Sequence, residues 1–314
     1  MRNIASISIY NPEKKMKKHK LIRKNIPLWL MMAPILIYFI VFKYIPMGGL
    51  VLAFKNYKIA DGILGSSWVG LNNYKILFSG VRTVQIIWNT FYISVLSIFV
   101  SFPFPILIAI LLNEVKKEWF KKGVQTAVYL PHFFSWVVVS GIVIGAFSQQ
   151  TGVVNSIVKC FGGEPYAFMY NDASWLTIFV GAGIWKEAGF KSIIYLAALT
   201  NIDPQLYEAS SLDGANKWQK IWNITLPAIA PTISIMLILA MGGVMEVGFE
   251  QIFTLQNNAV SKTSDVISTY IYRMGIQNGQ FSLTTAMGLF ESFVGLVLVM
   301  ISNRIAKRFE QSLW

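Results

Sequence analysis

The chain has 314 residues, 54% of them hydrophobic and only 13% charged, against about 25% charged in soluble domains; this excludes an ordinary globular protein and points to a bundle in lipid. A net charge of +12 would suit nucleic acid. The basic residues instead cluster beside apolar runs, as membrane-flanking charge does, and no aromatic-basic RNA motif or zinc spacing accompanies them.

Lys14, Lys15, Lys17, Lys18, Lys20, Arg23 and Lys24 precede an apolar run from about Ile26 to Leu52. That run exceeds the roughly 7–15 residues of a signal-peptide core, and no A-x-A site follows. The sequence therefore predicts a retained first span behind a basic arm over residues 1–25. Candidate spans lie near 28–52, 87–112, 125–147, 174–200, 227–249 and 283–303, each with the roughly 20 mostly apolar residues that a crossing helix needs. They lack two-residue alternation, so helices are predicted rather than a barrel. The expected fold is an all-α polytopic bundle of about six spans over residues 26–314, in a bacterial cytoplasmic membrane. Loops holding the N-terminal arm, Lys116, Lys117, Lys121, Lys122, Lys217, Lys220, Arg304, Lys307 and Arg308 are denser in basic residues than those at 53–86, 148–173 and 250–282. The first set is predicted to be cytoplasmic, with both termini. The single Cys160 rules out an intrachain disulfide.

Along the spans, Pro103 and Pro105 are expected to bend the second. A proton relay at His132 would need a second His or a carboxylate at helical spacing beside it; neither is present, and it reads first as a packed or interfacial histidine. Gly141, Gly145, Gly181, Gly183 and the Gly242-Gly243 pair are expected to let helices approach closely. Lys186, Glu187 and Lys191 fall inside the fourth span. A mid-membrane charge facing lipid costs roughly 2.5–3.5 kcal/mol, so these three need partners. Glu187 and Lys191 can pair at i, i+4, which makes an internal salt bridge the first reading; the sharper one turns Lys186 or Lys191 toward a cavity and a sugar carboxylate. Trp185, Tyr195, Glu250, Tyr270, Tyr272 and Glu291 are further candidates to line a sugar pathway, because rings stack on aromatics and hydroxyls need donors and acceptors. Trp and Tyr also anchor spans at membrane surfaces.

Between the fourth and fifth spans runs "YEASSLDGANKWQKIWNITLP", Tyr207–Pro227. Asp203-Pro204 is a helix start, Asp213-Gly214 a break, and Trp218, Ile221 and Trp222 mark a second amphipathic stretch. Thr225–Pro227 is expected to open the next span. Ala209, Ser210, Ser211 and Gly214 keep the element slim enough for another surface to approach its backbone, and Glu208 offers a charge.

Glu208-Ala209-Ser210, Asp213-Gly214, and then Ile224, Leu226 and Pro227, resemble the EAA loop of binding-protein-dependent ABC importer permeases, with Ser210 where that family usually has Ala. "APILIYFIVFKYIPMGGLVLAFKNY", "YLPHFFSWVVVSG", "IWKEAGFKSIIYLAAL" and "SDVISTYIYRMG" resemble the carbohydrate-uptake branch, and within it the importers of oligosaccharides, including uronate-rich fragments of alginate or pectin type. The resemblance implies that the loop is a coupling helix seated in a cytoplasmic ATPase. It implies a second homologous permease subunit, two ATP-binding subunits and an extracytoplasmic solute-binding protein as partners. No G-x-x-x-x-G-K-[ST] motif is present, so ATP and Mg are expected on the partner subunits, with no cofactor or metal and no catalysis on this chain. The branch is usually heterodimeric.

Two rival classes follow from the residues alone. An ion-coupled secondary sugar transporter would use the charges inside the spans but leave the loop without purpose. A membrane enzyme would need a catalytic pair such as Ser-His or two Asp inside the spans, and none is evident.

Overall fold

The structure, a computed structural model, describes residues 25–307; the basic arm before Asn25, and Arg308, lie outside the described residues. The chain divides into two compact units, up to Leu52 and from Ala53 onward. The first carries α1 (Ile26–Phe39), which continues through a π turn at Ile40–Tyr44 into Ile45–Met47. The wide turn has a local cause. Pro46 has no N–H to return to the carbonyl four residues back, and the Ile45 N–H reaches one residue further, to Ile40 O.

The second unit opens on a hairpin of β1 (Lys55–Asn56) and β2 (Ser67–Trp68), antiparallel with Lys55 opposite Trp68. α2 (Asn72–Ser79) braces it: Asn73 Nδ2 donates to Ala53 O at 2.8 Å and Lys55 O at 3.0 Å. α3 runs Val81–Glu114, interrupted where Pro103 starts a new helical segment after Phe102. α4 (Glu118–Phe133) and α5 (Trp136–Ala146) meet at 104°, so the predicted third span is a broken pair and not one rod. Pro131 lies near the end of α4, and Ser135 begins α5 by accepting the Val138 N–H at 3.4 Å. α6 (Val153–Cys160) follows.

α7 (Asp172–Leu199) is the centre of the unit. Asn171 caps it, accepting from Ala173 N and Ser174 N. Buried Trp175 donates Nε1–H to Leu255 O at 2.9 Å. α4 crosses so close that a Cβ on Gly189 would overlap the Val128 carbonyl. Gly141, Gly145 and Gly181, predicted as contact points, have open space where a Cβ would stand. The predicted pair contributes through Gly242, whose carbonyl lies 3.0 Å from where a Cβ on Gly295 would be. α8 (Pro204–Leu212), α9 (Lys217–Gly242), α10 (Phe249–Leu255), α11 (Ile267–Ile271) and α12 (Phe281–Lys307) complete the chain.

α9 corrects one expectation. Pro227 does not open the span; the helix starts ten residues earlier, at Lys217, and passes through a π turn at Ile221–Thr225. The cause repeats that in α1: Leu226 N–H bonds Ile221 O, and the next residue is a proline without a donor.

Among the described residues, four helical runs are long and apolar enough to cross a membrane, Ile26–Phe54, Val81–Glu114, Lys217–Gly242 and Phe281–Ile305, or five with the bent pair α4–α5. The predicted count of six is not reached on those terms. α7 forms over 28 residues, about 42 Å at 1.5 Å per residue, but Lys186, Glu187 and Lys191 set it apart from the apolar runs.

Two ionic clusters mark the ends of α3. At its start, Arg82 and Arg273 converge on Asp265, with Arg82 Nη2 at 2.9 Å and Arg273 Nη2 at 2.8 Å from Oδ2. Thr269 Oγ1 donates to Oδ1 at 2.8 Å. Burial alone would raise this carboxyl, but the hydrogen bonds from Arg273, Arg82 and Thr269 outweigh it and hold it below the ordinary aspartate value. At its other end Glu114 pairs with Lys217 at 3.3 Å, which puts the α8–α9 loop beside the end of α3 remote from Asp265.

Candidate functional site

The loop between α7 and α9 caps itself and presents the rest outward. Asp203 Oδ1 accepts the Gln205 N–H at 2.9 Å, with Pro204 at the first helical position. Ser210 and Ser211 hydroxyls close onto Tyr207 O at 2.9 and 2.6 Å. Gly214 ends α8 at φ 80°, a left-handed conformation that favours glycine. Asn216 and Gln219 then form a reciprocal capping box at the start of α9. Tyr207 OH bonds Thr225 Oγ1 at 3.0 Å, tying α8 back to the π turn. These bonds hold the loop's shape locally, yet α8 has no buried residue. Leu206, Leu212, Trp218 and Trp222 are 52%, 90%, 71% and 66% exposed. Of the residues predicted to couple, Glu208, Ala209, Asp213 and Gly214 are exposed, Ser210 is half-buried, Ile224 and Leu226 are half-buried at the foot of α9, and Pro227 is exposed.

A cavity of about 410 Å³ opens between α3, α7 and α9. α7 lines it with Phe179, Gly183, Glu187, Lys191 and Tyr195, spaced four residues apart, so that each stacks on the next along a row that winds slowly around the helix. Three of the predicted pathway residues therefore share a wall. Glu187 does not pair with Lys191 as i, i+4 spacing suggests. His132 Nδ1 lies 3.2 Å from Glu187 Oε2, Lys186 Nζ 3.4 Å from Oε1, and His132 stacks on Phe190 at 3.9 Å. Lys186 is 6% exposed and turned from the cavity, donating to His132 O at 2.7 Å with Trp136 ring 5.6 Å away. Lys191 has no ion-pair partner among the described residues and is exposed.

The remaining candidates stand elsewhere. Trp185 lines a second, apolar recess with Val143, Phe147 and Ile178. Glu250 is exposed on α10 away from the cavity lining. Tyr270 is buried against the apolar cluster around Ile267 and Met287, and Tyr272 packs on Phe249 and Phe253. Glu291 is half-buried within α12 and outside the lining. The lining also includes Ser94, Ser97 and Ser101 of α3, together with Glu246 and Gln251. The three serines went unnoticed in the sequence, although their i, i+3, i+7 spacing in an apolar span is a readable one-faced signal.

Residues 25–314 match the family described as the binding-protein-dependent transport system inner membrane component. The chain belongs to this family. The permease is 44% identical over 299 residues to the polygalacturonan/rhamnogalacturonan transport system permease protein YteP of Bacillus subtilis (strain 168), covering 94% of this chain and 93% of that one. It is 41% identical over 285 residues to protein LplB of the same organism, covering 90% and 89% of the two chains. Among solved structures, it superposes with TM-score 0.86 and 42% identity on a chain of a bacterial ABC transporter involved in the import of the acidic polysaccharide alginate, covering 93% of this permease and 99% of that chain. A chain of a bacterial alginate ABC transporter in complex with an alginate pentasaccharide-bound periplasmic protein is matched at TM-score 0.86 and 42% identity, covering 93% of this permease and 98% of that chain. The permease is thus a multi-pass inner-membrane transport component, as the apolar helices require.

Proposed function

We propose that this permease moves an acidic, uronate-containing oligosaccharide into the cell as one membrane subunit of an ATP-driven importer. A solute-binding protein delivers the sugar from outside, a second, homologous permease completes the pathway, and two ATPase subunits hold ATP and Mg. The permease itself performs no catalysis. Both termini and α8 face the cytoplasm, where α8 docks into one ATPase through its slim Ala209–Gly214 face and the exposed Leu212, Trp218 and Trp222. Closure of the ATPase pair presses on α8, and the Tyr207–Thr225 hydrogen bond passes that displacement to the foot of α9, a helix whose far end lines the cavity with Met236, Leu239 and Ala240. Switching between inward-open and outward-open states then follows from which state the nucleotide favours.

The observation that carries the uronate reading is the charge on the α7 wall. Glu187 would repel an acidic sugar, but Lys186 and His132 engage both its oxygens, while Lys191 on the same face stays free to meet a carboxylate. The names of the relatives, for polygalacturonan and alginate, agree in substrate charge.

The test is uptake by right-side-out or reconstituted vesicles holding the complete transporter, with ATP in the lumen, the binding protein outside, and trigalacturonate and maltotriose as probes. The proposal expects trigalacturonate uptake that needs ATP, survives an uncoupler and exceeds maltotriose uptake. Uptake abolished by the uncoupler with ATP present, or a preference for maltotriose, overturns it.

A further inference from the structure

The wall that α3 gives to the cavity carries hydroxyls with nothing to bond. Ser94 and Ser97 both line the cavity, and neither Oγ has a hydrogen-bond partner among the described residues. Ser94 is 5% exposed, and its Oγ is closed off from the surface. Helix geometry offers an easy remedy that both decline. A serine or threonine in a helix usually closes onto the carbonyl three or four residues back, and Thr90, one turn before Ser94, does so at 2.8 Å to Ile86 O. Ser101 continues the same face into the cavity lining. At 1.5 Å per residue the three span about 10 Å, enough to follow a sugar ring and its linkages. A buried hydroxyl without a partner costs free energy until one arrives, and a single χ1 rotation suffices to turn it.

We propose that Ser94 and Ser97, continued by Ser101, form a second sugar-binding wall that reads ring hydroxyls, complementing the carboxylate-reading Lys191 on α7. The proposal rests on the cavity being the sugar pathway. A hydroxyl can both donate and accept, so this wall tolerates either orientation of a sugar OH and acts on acidic and neutral rings alike. Selection for charge is left to Lys191, and the serines supply grip common to all hydroxylated substrates.

The experiment uses the complete reconstituted complex, trapped with vanadate while its binding protein is open, so that retained sugar reports on the cavity. Labelled trigalacturonate and maltotriose are the probes. Each net hydrogen bond is worth about threefold to tenfold in affinity, so Ser94→Ala with Ser97→Ala lowers retention of the probes the parent holds by about tenfold, and each single variant by about threefold. Ser97→Thr, which keeps the hydroxyl, stays within threefold of the parent. Should the double variant fail to assemble, the two single variants decide. Retention within twofold of the parent for every assembled alanine variant overturns the proposal, as does a parent complex that retains neither probe. A parent that retains maltotriose but not trigalacturonate removes the uronate reading alone, and the serine wall is then judged on maltotriose.

Discussion

The Asp265 cluster makes a quantitative demand on stability. Asp265 is buried, its side chain 4% exposed, while Arg82 and Arg273 remain 54% and 42% exposed. Replacing Asp265 with Asn removes the charge, keeps one acceptor oxygen for Thr269, and turns an amide N–H₂ toward guanidinium groups that also only donate. Removing one partner of a buried ion pair costs about 3–5 kcal/mol. The half-exposed guanidinium groups recover part of their hydration, so the expected loss for Asp265→Asn is about 2–3 kcal/mol. Chemical unfolding of the purified permease, followed by tryptophan fluorescence, measures it as a lower midpoint. Glu164→Gln, at an exposed position, should change stability by less than about 0.5 kcal/mol. Acid provides a second reading. The folded carboxyl sits below its ordinary value, so its contribution is complete above the unfolded value of about 3.9 and is lost as pH falls from there through the folded value. The difference between parent and Asp265→Asn is therefore full at neutral pH and shrinks below about pH 4. A loss below about 0.5 kcal/mol at neutral pH, or a difference that grows in acid, would refute this reasoning.

Other positions test other links. Gly189→Ala drives a methyl into the Val128 carbonyl and should cost about 1–3 kcal/mol or more by the same unfolding measurement, whereas Gly181→Ala, with open space around it, should cost less than about 0.5 kcal/mol. Lys191→Gln should cut trigalacturonate uptake about tenfold or more, the worth of a charge-assisted hydrogen bond, and leave ATP hydrolysis intact; equal uptake by parent and variant removes its carboxylate role. A cysteine at Ala209 should crosslink to an ATPase subunit in the intact complex and react with a thiol reagent only from the cytoplasmic side. Tyr207→Phe removes the bond to Thr225 and should lower sugar moved per ATP hydrolysed about twofold to tenfold; an unchanged ratio shows that displacement reaches α9 by another route.

What the sequence revealed divides by the distance over which each signal acts. Apolar length is summed over a whole segment, and it located α1, α3, α9 and α12 without any partner in view. Caps act within one turn, and Asp203-Pro204 and Asp213-Gly214 bounded α8 as written because their work is done by their own neighbours. Pro227 misled because a proline without a donor fits either the first turn of a helix or the turn after a π bulge; the two environments satisfy the same missing N–H, and only the Leu226-to-Ile221 bond separates them. Glu187 misled for a different reason. Its i, i+4 neighbour Lys191 was the obvious partner, but the structure brings His132 from 55 positions away, and no local period can register a partner on another helix. The same holds for Gly189, indistinguishable in sequence from Gly181 and Gly183 until α4 crosses it. The cavity is the limiting case. It belongs to no segment, since α3, α7 and α9 each supply one wall; the serine spacing of α3 and the charges of α7 can be read singly, but not that they face one space. Such faces become informative only in combination: Lys191 left free while Glu187 is occupied, and Ser94 left without the back-bond that Thr90 makes on the same helix. Unused bonding capacity that converges on one space is a property of the fold and not of any stretch of chain.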